Sequence, residues 1–166
     1  GIFALTYPLH GRNGLQGVIA SAPGLRNSLE SQKGKIFLSK TLSVLAPKFA
    51  ITTGLVAADI TRDPAVLEKY LQDPLVHDRA SVSLATLLIR AIQWSYEHAH
   101  EFAPPLLLMH GTEDKIAYAI GSQEFAAKVR GDCTLKLWQG LRHEIHNEPE
   151  KDQVFAYLIN WMESKL

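Results

Sequence analysis

The hydrophobic positions of this chain form short continuous runs near both ends and longer helical stripes between them. Three runs predict buried strands, at residues 15–22, 106–109 and 135–138. The turn Pro23-Gly24 closes the first run, and Pro104-Pro105 precedes the second. Because strands of a parallel sheet are covered on both faces and carry continuous apolar runs, we predict a parallel sheet built from these three segments.

Predicted helices surround the strands. A helix covers residues 1–7 and stops near Pro8, and Asp63-Pro64 has the pattern of an N-cap followed by proline at the first helical position. Asp73-Pro74 ends that second helix. Apolar stripes predict four more helices, at about residues 32–46, 81–98, 122–129 and 149–165. The stripe of the last helix contains Val154, Phe155, Leu158, Ile159 and Met162.

The first predicted strand has an unsatisfied edge. Three strands are few for a parallel sheet, and the strand at residues 15–22, taken alone, would lack a neighbour on one side. We therefore expect a further strand to pair with it. The chain also begins at Gly1 inside an apolar helical segment, without a methionine, from which we expect residues upstream to be missing.

Composition narrows the class of protein. The 166 residues are enough for at most one ordinary domain. Lys plus Arg and Asp plus Glu number 17 each, so charge does not favour a nucleic-acid partner. The single cysteine, Cys133, excludes an internal disulfide. No apolar run approaches the ~20 residues that span a bilayer, and we favour a cytoplasmic or peripheral membrane location.

The candidate chemistry lies in two loops that each follow a predicted strand. One contains Glu113 and Asp114, and the other contains His143 and His146. The carboxyl ends of parallel strands meet at one edge of the sheet, where open α/β sheets place their sites. One helix and one strand separate Asp114 from His143, so the two loops belong to adjacent strands. Spacing alone does not separate Asp114 from Glu113.

A histidine paired with a buried acid is the base of a serine-hydrolase triad, because its pKa lies near working pH and the acid fixes its tautomer. His143 is the preferred candidate, and we expect His146 to pack against the last helix. A metal site is the alternative interpretation of His143 and His146. The zincin motif needs histidines four apart on a helix, whereas these are three apart on a loop without an evident third ligand, so we predict no metal.

These segments resemble the monoacylglycerol lipase and lysophospholipase branch of the α/β-hydrolases. The run from His110 to Lys115 is similar to that family's acid loop, and the run from Arg142 to Glu150 is similar to its histidine loop. Residues 51–55, 62–64 and 73–77 resemble its cap. The order acid then histidine is that of the family's triad, but the chain contains no Gly-x-Ser-x-Gly.

The resemblance implies the fold and the site. It implies the C-terminal part of an α/β-hydrolase fold, with residues 1–23 and 103–166 as core and residues 24–102 as a mostly helical cap. Asp114 and His143 would be catalytic, and no cofactor is needed. Gly1 looks like the closing glycine of the nucleophile elbow, which would place the serine just upstream, with the oxyanion hole also outside this chain.

The resemblance also implies a substrate and partners. We expect a serine esterase acting on monoacylglycerols or similar lipid monoesters, completed by the missing N-terminal part or a companion chain, and inactive as this chain alone. The cap could touch a membrane surface transiently. Its apolar residues fit either an acyl-chain channel or plain core; these residues are Ile36, Phe37, Leu38, Leu42, Leu45, Phe49, Leu84, Leu87 and Leu88. The alternative is a non-catalytic binding protein that retains the fold.

Overall fold

The computed structural model describes residues 1–11, 14–27, 46 and 48–166. Its strands are β1 (Val18–Ser21), β2 (Ala50–Thr52), β3 (Arg79–Ser81), β4 (Leu106–Gly111) and β5 (Cys133–Trp138). Its helices are α1 (Ile2–Leu9), α2 (Pro64–Gln72), α3 (Val82–His98), α4 (Ala119–Ala126) and α5 (Lys151–Glu163). Short 3-10 turns cover Ala57–Asp59, Ala99–Glu101 and Ile145–Asn147. The helix predicted at residues 32–46, with the cap candidates Ile36, Phe37, Leu38, Leu42 and Leu45, lies almost wholly outside the described residues.

The three predicted strands form one parallel sheet in the order β1-β4-β5. Val18 pairs with Leu106, and Leu106 pairs with Cys133. The central strand β4 is buried along its whole length, as expected for a continuous apolar run between two covered faces.

Side chains of β4 alternate between two hydrophobic cores. Leu106 and Leu108 belong to a core with Leu5 of α1 and Phe125 of α4. Leu107 and Met109 belong to the other core. The loop after β5 contributes Leu141 and Ile145 to this core, and α5 contributes Val154 and Trp161. The two-residue period of the strand therefore fixes helices on both faces of the sheet.

Two helix starts follow from capping side chains. Asp63 accepts hydrogen bonds from the N–H groups of Ala65 (2.9 Å) and Val66 (3.3 Å), and α2 begins at Pro64 as predicted. Ser81 accepts from the Leu84 N–H at 3.2 Å at the start of α3. Each cap satisfies donors that the first helical turn leaves without a partner.

The described part of the segment between β1 and β4 contains two short strands that the sequence did not predict. β2 and β3 pair there in an antiparallel two-stranded sheet. Each strand has three residues, and β3 contains Arg79 and Ser81, so neither carries the apolar alternation that predicts a strand. No helix among the described residues is long and apolar enough to cross a membrane.

The predicted helical stripes are only partly buried. In α3, Leu88 packs against the core, whereas Leu84 is 43% exposed and Leu87 is 60% exposed. In α5, Val154 is buried but other stripe residues are exposed, namely Phe155, Ile159 and Met162. Trp161, which lies outside the predicted stripe, takes the inward position. Periodicity located these helices but not the rotation at which each meets the sheet.

One edge of β1 has no neighbouring strand among the residues that the structure describes. Within the described part of the chain, β1 pairs with β4 alone. Large apolar side chains are exposed on the flanking helices, among them Phe3 (68%) and Ile159 (47%). A strand edge with unpaired backbone groups and bare apolar faces is a site for pairing with further chain.

We predict that a polypeptide of these 166 residues alone does not fold cooperatively. Each large apolar side chain left in water forfeits roughly 1.5–3 kcal/mol, and a whole domain is stable by only about 5–15 kcal/mol. Calorimetry and size-exclusion chromatography should show aggregation or a broad transition. A sharp, reversible melt of the monomer would contradict this expectation.

Candidate active site

Asp114 and His143 lie side by side beyond the carboxyl ends of two neighbouring strands. β4 ends at Gly111 and β5 ends at Trp138, so the two following loops leave the sheet at the same edge. The distance from His143 Nδ1 to Asp114 Oδ2 is 2.8 Å. This hydrogen bond is the one predicted from the sequence, and it involves Asp114 rather than the exposed Glu113.

The two loops approach each other through a glycine. A Cβ placed on Gly111 would lie 2.2 Å from the Leu141 carbonyl oxygen and 2.4 Å from that of Arg142. Backbone bonds then join the loops: the Glu113 N–H donates to Leu141 O at 2.9 Å, and the Thr112 N–H donates to Trp138 O at 3.0 Å. A side chain at Gly111 would therefore push the acid away from the histidine.

The carboxylate of Asp114 has donors on both oxygens. Oδ1 accepts the backbone N–H groups of Ile116 (2.8 Å) and Ala117 (2.9 Å). Oδ2 accepts from His143 and lies 3.1 Å from Nε2 of His110. The Asp114 side chain is fully buried, so these bonds replace the water it would otherwise bind.

His110 is a buried residue of the site to which the sequence interpretation gave no role. Its Nε2 lies within hydrogen-bond distance of Asp114 Oδ2 and, at 2.8 Å, of the Ala117 carbonyl oxygen. Both partners are acceptors, so Nε2 carries a hydrogen, and Nδ1 lies 2.7 Å from the Ser122 hydroxyl oxygen. The signal in the sequence was a polar residue in register with Leu106 and Leu108 on the inward face of β4.

Burial and hydrogen bonding act on Asp114 in opposite directions. Burial by itself would raise the pKa of this carboxyl group. Hydrogen bonds from His110 and His143, the charge of His143 and the Ala117 N–H outweigh it and lower the pKa of Asp114 to about 2. Asp114 is therefore ionised at neutral pH, and it holds His143 in the tautomer with hydrogen on Nδ1.

The other nitrogen of His143 is available for chemistry. The side chain is 29% exposed, and Nε2 has no hydrogen-bond partner among the described residues. Leu141 and Ile145 are buried in the core and anchor the loop on both sides of the histidine. This arrangement allows Nε2 to take a proton from a nucleophile and return it to a leaving group.

The remaining sequence candidates are not joined to this pair. His146 lies on the 3-10 turn and is exposed. In the described ranges, no three His, Cys, Asp or Glu side chains are grouped in a way that could hold a metal ion.

Comparison with known proteins gives the family. A family model described as serine aminopeptidase, S33, matches residues 1–150. The chain belongs to this family. A putative monoglyceride lipase of Schizosaccharomyces pombe is 33% identical over 164 residues, which are 95% of this chain and 43% of that protein. A monoacylglycerol lipase of Mycolicibacterium smegmatis is 34% identical over 133 residues, which are 79% of this chain and 47% of that protein.

A solved structure confirms the fold of this S33 family member. The crystal structure of Paleococcus ferrophilus monoacylglycerol lipase matches with a TM-score of 0.94 at 27% identity, over 99% of this chain and 65% of that chain. The α/β-hydrolase fold predicted from the sequence is thereby confirmed. The chain spans less than half the length of the two relatives named above.

We predict that Asp114 makes stability depend on acid pH. Its pKa is lowered to about 2 in the folded protein, against about 3.9 in an unfolded chain. The ionised form therefore stabilises the fold by about 2 kcal/mol above pH 4, and this contribution is lost as pH falls towards 2. The free energy of unfolding can be measured with urea between pH 4 and 2 on the protein that carries this chain. It should depend less steeply on pH in Asp114→Asn than in the wild type.

Glu113→Gln is the matched control, since Glu113 is the exposed neighbour of Asp114. In this variant the free energy of unfolding should depend on pH between 4 and 2 as it does in the wild type. Equal pH dependence of wild type and Asp114→Asn would show that the buried carboxylate does not have the low pKa assigned to it.

Proposed function

We propose that the protein carrying this chain is a carboxylic-ester hydrolase acting on monoacylglycerols or similar lipid monoesters. The observation that carries the proposal is the hydrogen bond between buried Asp114 and the partly exposed His143, whose second ring nitrogen is unengaged within the described structure. The similarity to monoacylglycerol lipases supports the choice of substrate class.

The proposed mechanism uses a serine, Asp114 and His143. His143 Nε2 removes the serine proton while the serine oxygen attacks the ester carbonyl, and Asp114 stabilises the imidazolium that forms. His143 then protonates the departing glycerol oxygen, which leaves an acyl-serine. Water activated by His143 attacks the acyl group, and the serine regains its proton as the fatty acid leaves.

The serine is proposed to lie just upstream of Gly1. A Cβ on Gly1 would lie 2.7 Å from the Pro23 Cα, so this position has room only for glycine. In the nucleophile elbow a glycine follows the serine two positions later, where the strand turns sharply into a helix. Gly1 directly precedes α1, and this agrees with the place that the resemblance gives it. The upstream segment would also pair with the free edge of β1.

The lipid character of the substrate is supported by apolar side chains in the segment between β1 and β4, which we propose to form the cap. Several are exposed there, namely Phe49, Leu55, Val56, Leu71, Leu75, Leu84 and Leu87. Soluble proteins rarely leave large apolar patches bare without a ligand or surface to meet them. We propose that this region receives the acyl chain and touches a lipid surface transiently.

The protein carrying both this chain and its upstream segment should hydrolyse 1-monoacylglycerols and react with a serine-directed fluorophosphonate. His143→Gln should lower kcat by about 10⁴-fold, since the serine loses its base. His146→Gln is the matched control, being exposed three residues further along. Steady-state kinetics and mass-spectrometric mapping of the labelled residue measure both effects.

The 166-residue chain alone should show no turnover of a p-nitrophenyl ester. Turnover by that chain, blocked by a serine-directed phosphonate, contradicts the upstream nucleophile. A protein with no Gly-x-Ser-x-Gly segment before Gly1 would instead favour the non-catalytic binding protein.

Lipid-surface contact has a separate test. Co-sedimentation with phosphatidylcholine vesicles should fall when Leu75, which is 85% exposed, is changed to Ser together with Leu71→Ser. Lys69→Ser, on the helix α2 that also carries Leu71, is the polar control. Equal sedimentation of all three proteins would exclude this surface as the lipid contact.

A further inference from the structure

Glu148 is a second fully buried carboxylate near the site. Its Oε1 accepts the backbone N–H of Arg142 at 2.7 Å. Its Oε2 accepts the backbone N–H of Arg62 at 3.1 Å and the Arg62 Nε–H at 2.9 Å. The Glu148 side chain is 0% exposed, and a buried charge is tolerated only when donors of this kind surround it.

Arg142 immediately precedes His143, and it is held from two directions. Its N–H is fixed by Glu148, while its guanidinium donates to the carbonyl oxygens of Ala58 and, at 3.1 Å, Thr61. The backbone on the amino side of the histidine is therefore tied both to its own loop and to residues 58–62, which we call the bracing segment.

The bracing segment also holds the carboxyl side of the histidine. The N–H of Glu144, the residue after His143, donates to the Ile60 carbonyl oxygen at 2.9 Å. The Thr61 hydroxyl donates to the Asn147 carbonyl oxygen at 2.8 Å. Ile60 and Thr61 are both buried, so these bonds are shielded from competition by water.

The bracing segment is itself fixed at its end. Asp63 follows Arg62 and caps α2, so the segment leads directly into a helix. The Asp63 N–H also donates to the Thr61 hydroxyl at 3.0 Å. Arg62 can therefore act as a fixed point from which the histidine loop is oriented.

We infer that Glu148 is a positioning residue for His143, which acts through the Arg142 N–H and is itself held by Arg62 of the bracing segment. The inference deepens the proposed function, on which it rests for the role of His143 as base. Glu148 needs no contact with substrate for this role: it fixes the backbone from which the imidazole projects towards Asp114.

The charge of Glu148 is essential to this arrangement because all its side-chain partners are donors. A glutamine amide would place its NH₂ group against the Arg142 N–H or against the two donors of Arg62. Glu150 provides the comparison, because it also binds the Arg62 guanidinium but is 37% exposed and can exchange that bond for water. The pair Glu148→Gln and Glu150→Gln thus makes the same chemical change at a buried and an exposed partner of one arginine.

The test uses the protein that carries this chain with its upstream segment. Proton NMR below neutral pH should show a low-field resonance from the His143 Nδ1–H shared with Asp114. We expect wild type and Glu150→Gln to share this resonance, and Glu148→Gln to lose or shift it.

With a 1-monoacylglycerol, Glu148→Gln should lower kcat by about 10²-fold with KM little changed, because misplacement of a base affects the chemical step rather than binding.

The outcomes distinguish a positioning role of Glu148 from a role in stabilising the fold alone. A lower Tm in Glu148→Gln with wild-type resonance and kcat would overturn the inference. If Glu148→Gln does not fold, Arg62→Lys decides, because it keeps the charge but loses the Nε–H donor; an unchanged resonance in that variant also overturns the inference.

Failure of the proposed function gives a different result. A folded wild type that does not hydrolyse esters removes the proposed substrate, while the resonance still reports on the positioning of His143. A folded wild type without the resonance would contradict the Asp114–His143 hydrogen bond and, with it, the inference.

Discussion

The carboxylate of Asp114 is buried, ionised and bound on both oxygens, and the geometry of the site depends on it. Burial favours the neutral acid, yet donors from His110, His143 and the following turn lower its pKa to about 2. A carboxylate held in this way fixes one ring nitrogen of His143 and leaves the other for chemistry. His110, which is itself fixed by Ser122, makes this anion the centre of a buried network instead of one half of a pair.

Close approach of two backbones makes that hydrogen bond possible. Neighbouring parallel strands bring the acid loop and the histidine loop to one edge, but only Gly111 allows them to come into contact. The continuous apolar run of β4 then holds the edge in place, because side chains on both of its faces are buried in separate cores. The loops that carry the acid and the histidine are therefore anchored to the buried centre of the sheet.

The histidine loop depends equally on a segment far away in the sequence. Glu148 and the bracing segment hold the backbone on either side of His143, and Arg62 joins the two regions. In an ester hydrolase of the proposed kind, the region that would meet the lipid and the region that carries the base would share one buried carboxylate. A change in one region would then reach the other through defined hydrogen bonds, which is the physical requirement for coupling.

The sequence by itself determined the features that depend on near neighbours. Continuous apolar runs located the three strands, Asp63 with Pro64 located the start of α2, and the spacing of Asp114 and His143 placed them on adjacent strands. These patterns are readable because strand burial and helix capping depend on a few consecutive residues, and because one crossover helix places two parallel strands side by side. The resemblance to a known family added the fold, which comparison confirmed.

Only the tertiary structure decided the contacts between distant segments. It placed the hydrogen bond to His143 on Asp114, the acid that the family resemblance implied, placed His110 beside that acid and joined Arg62 to Glu148, 86 residues further along. It also paired β2 with β3 and set which faces of α3 and α5 are buried. The contact partners of these residues have no local signal, because the partner of a buried polar group depends on which segments the packed core brings together, and not on the residues beside it.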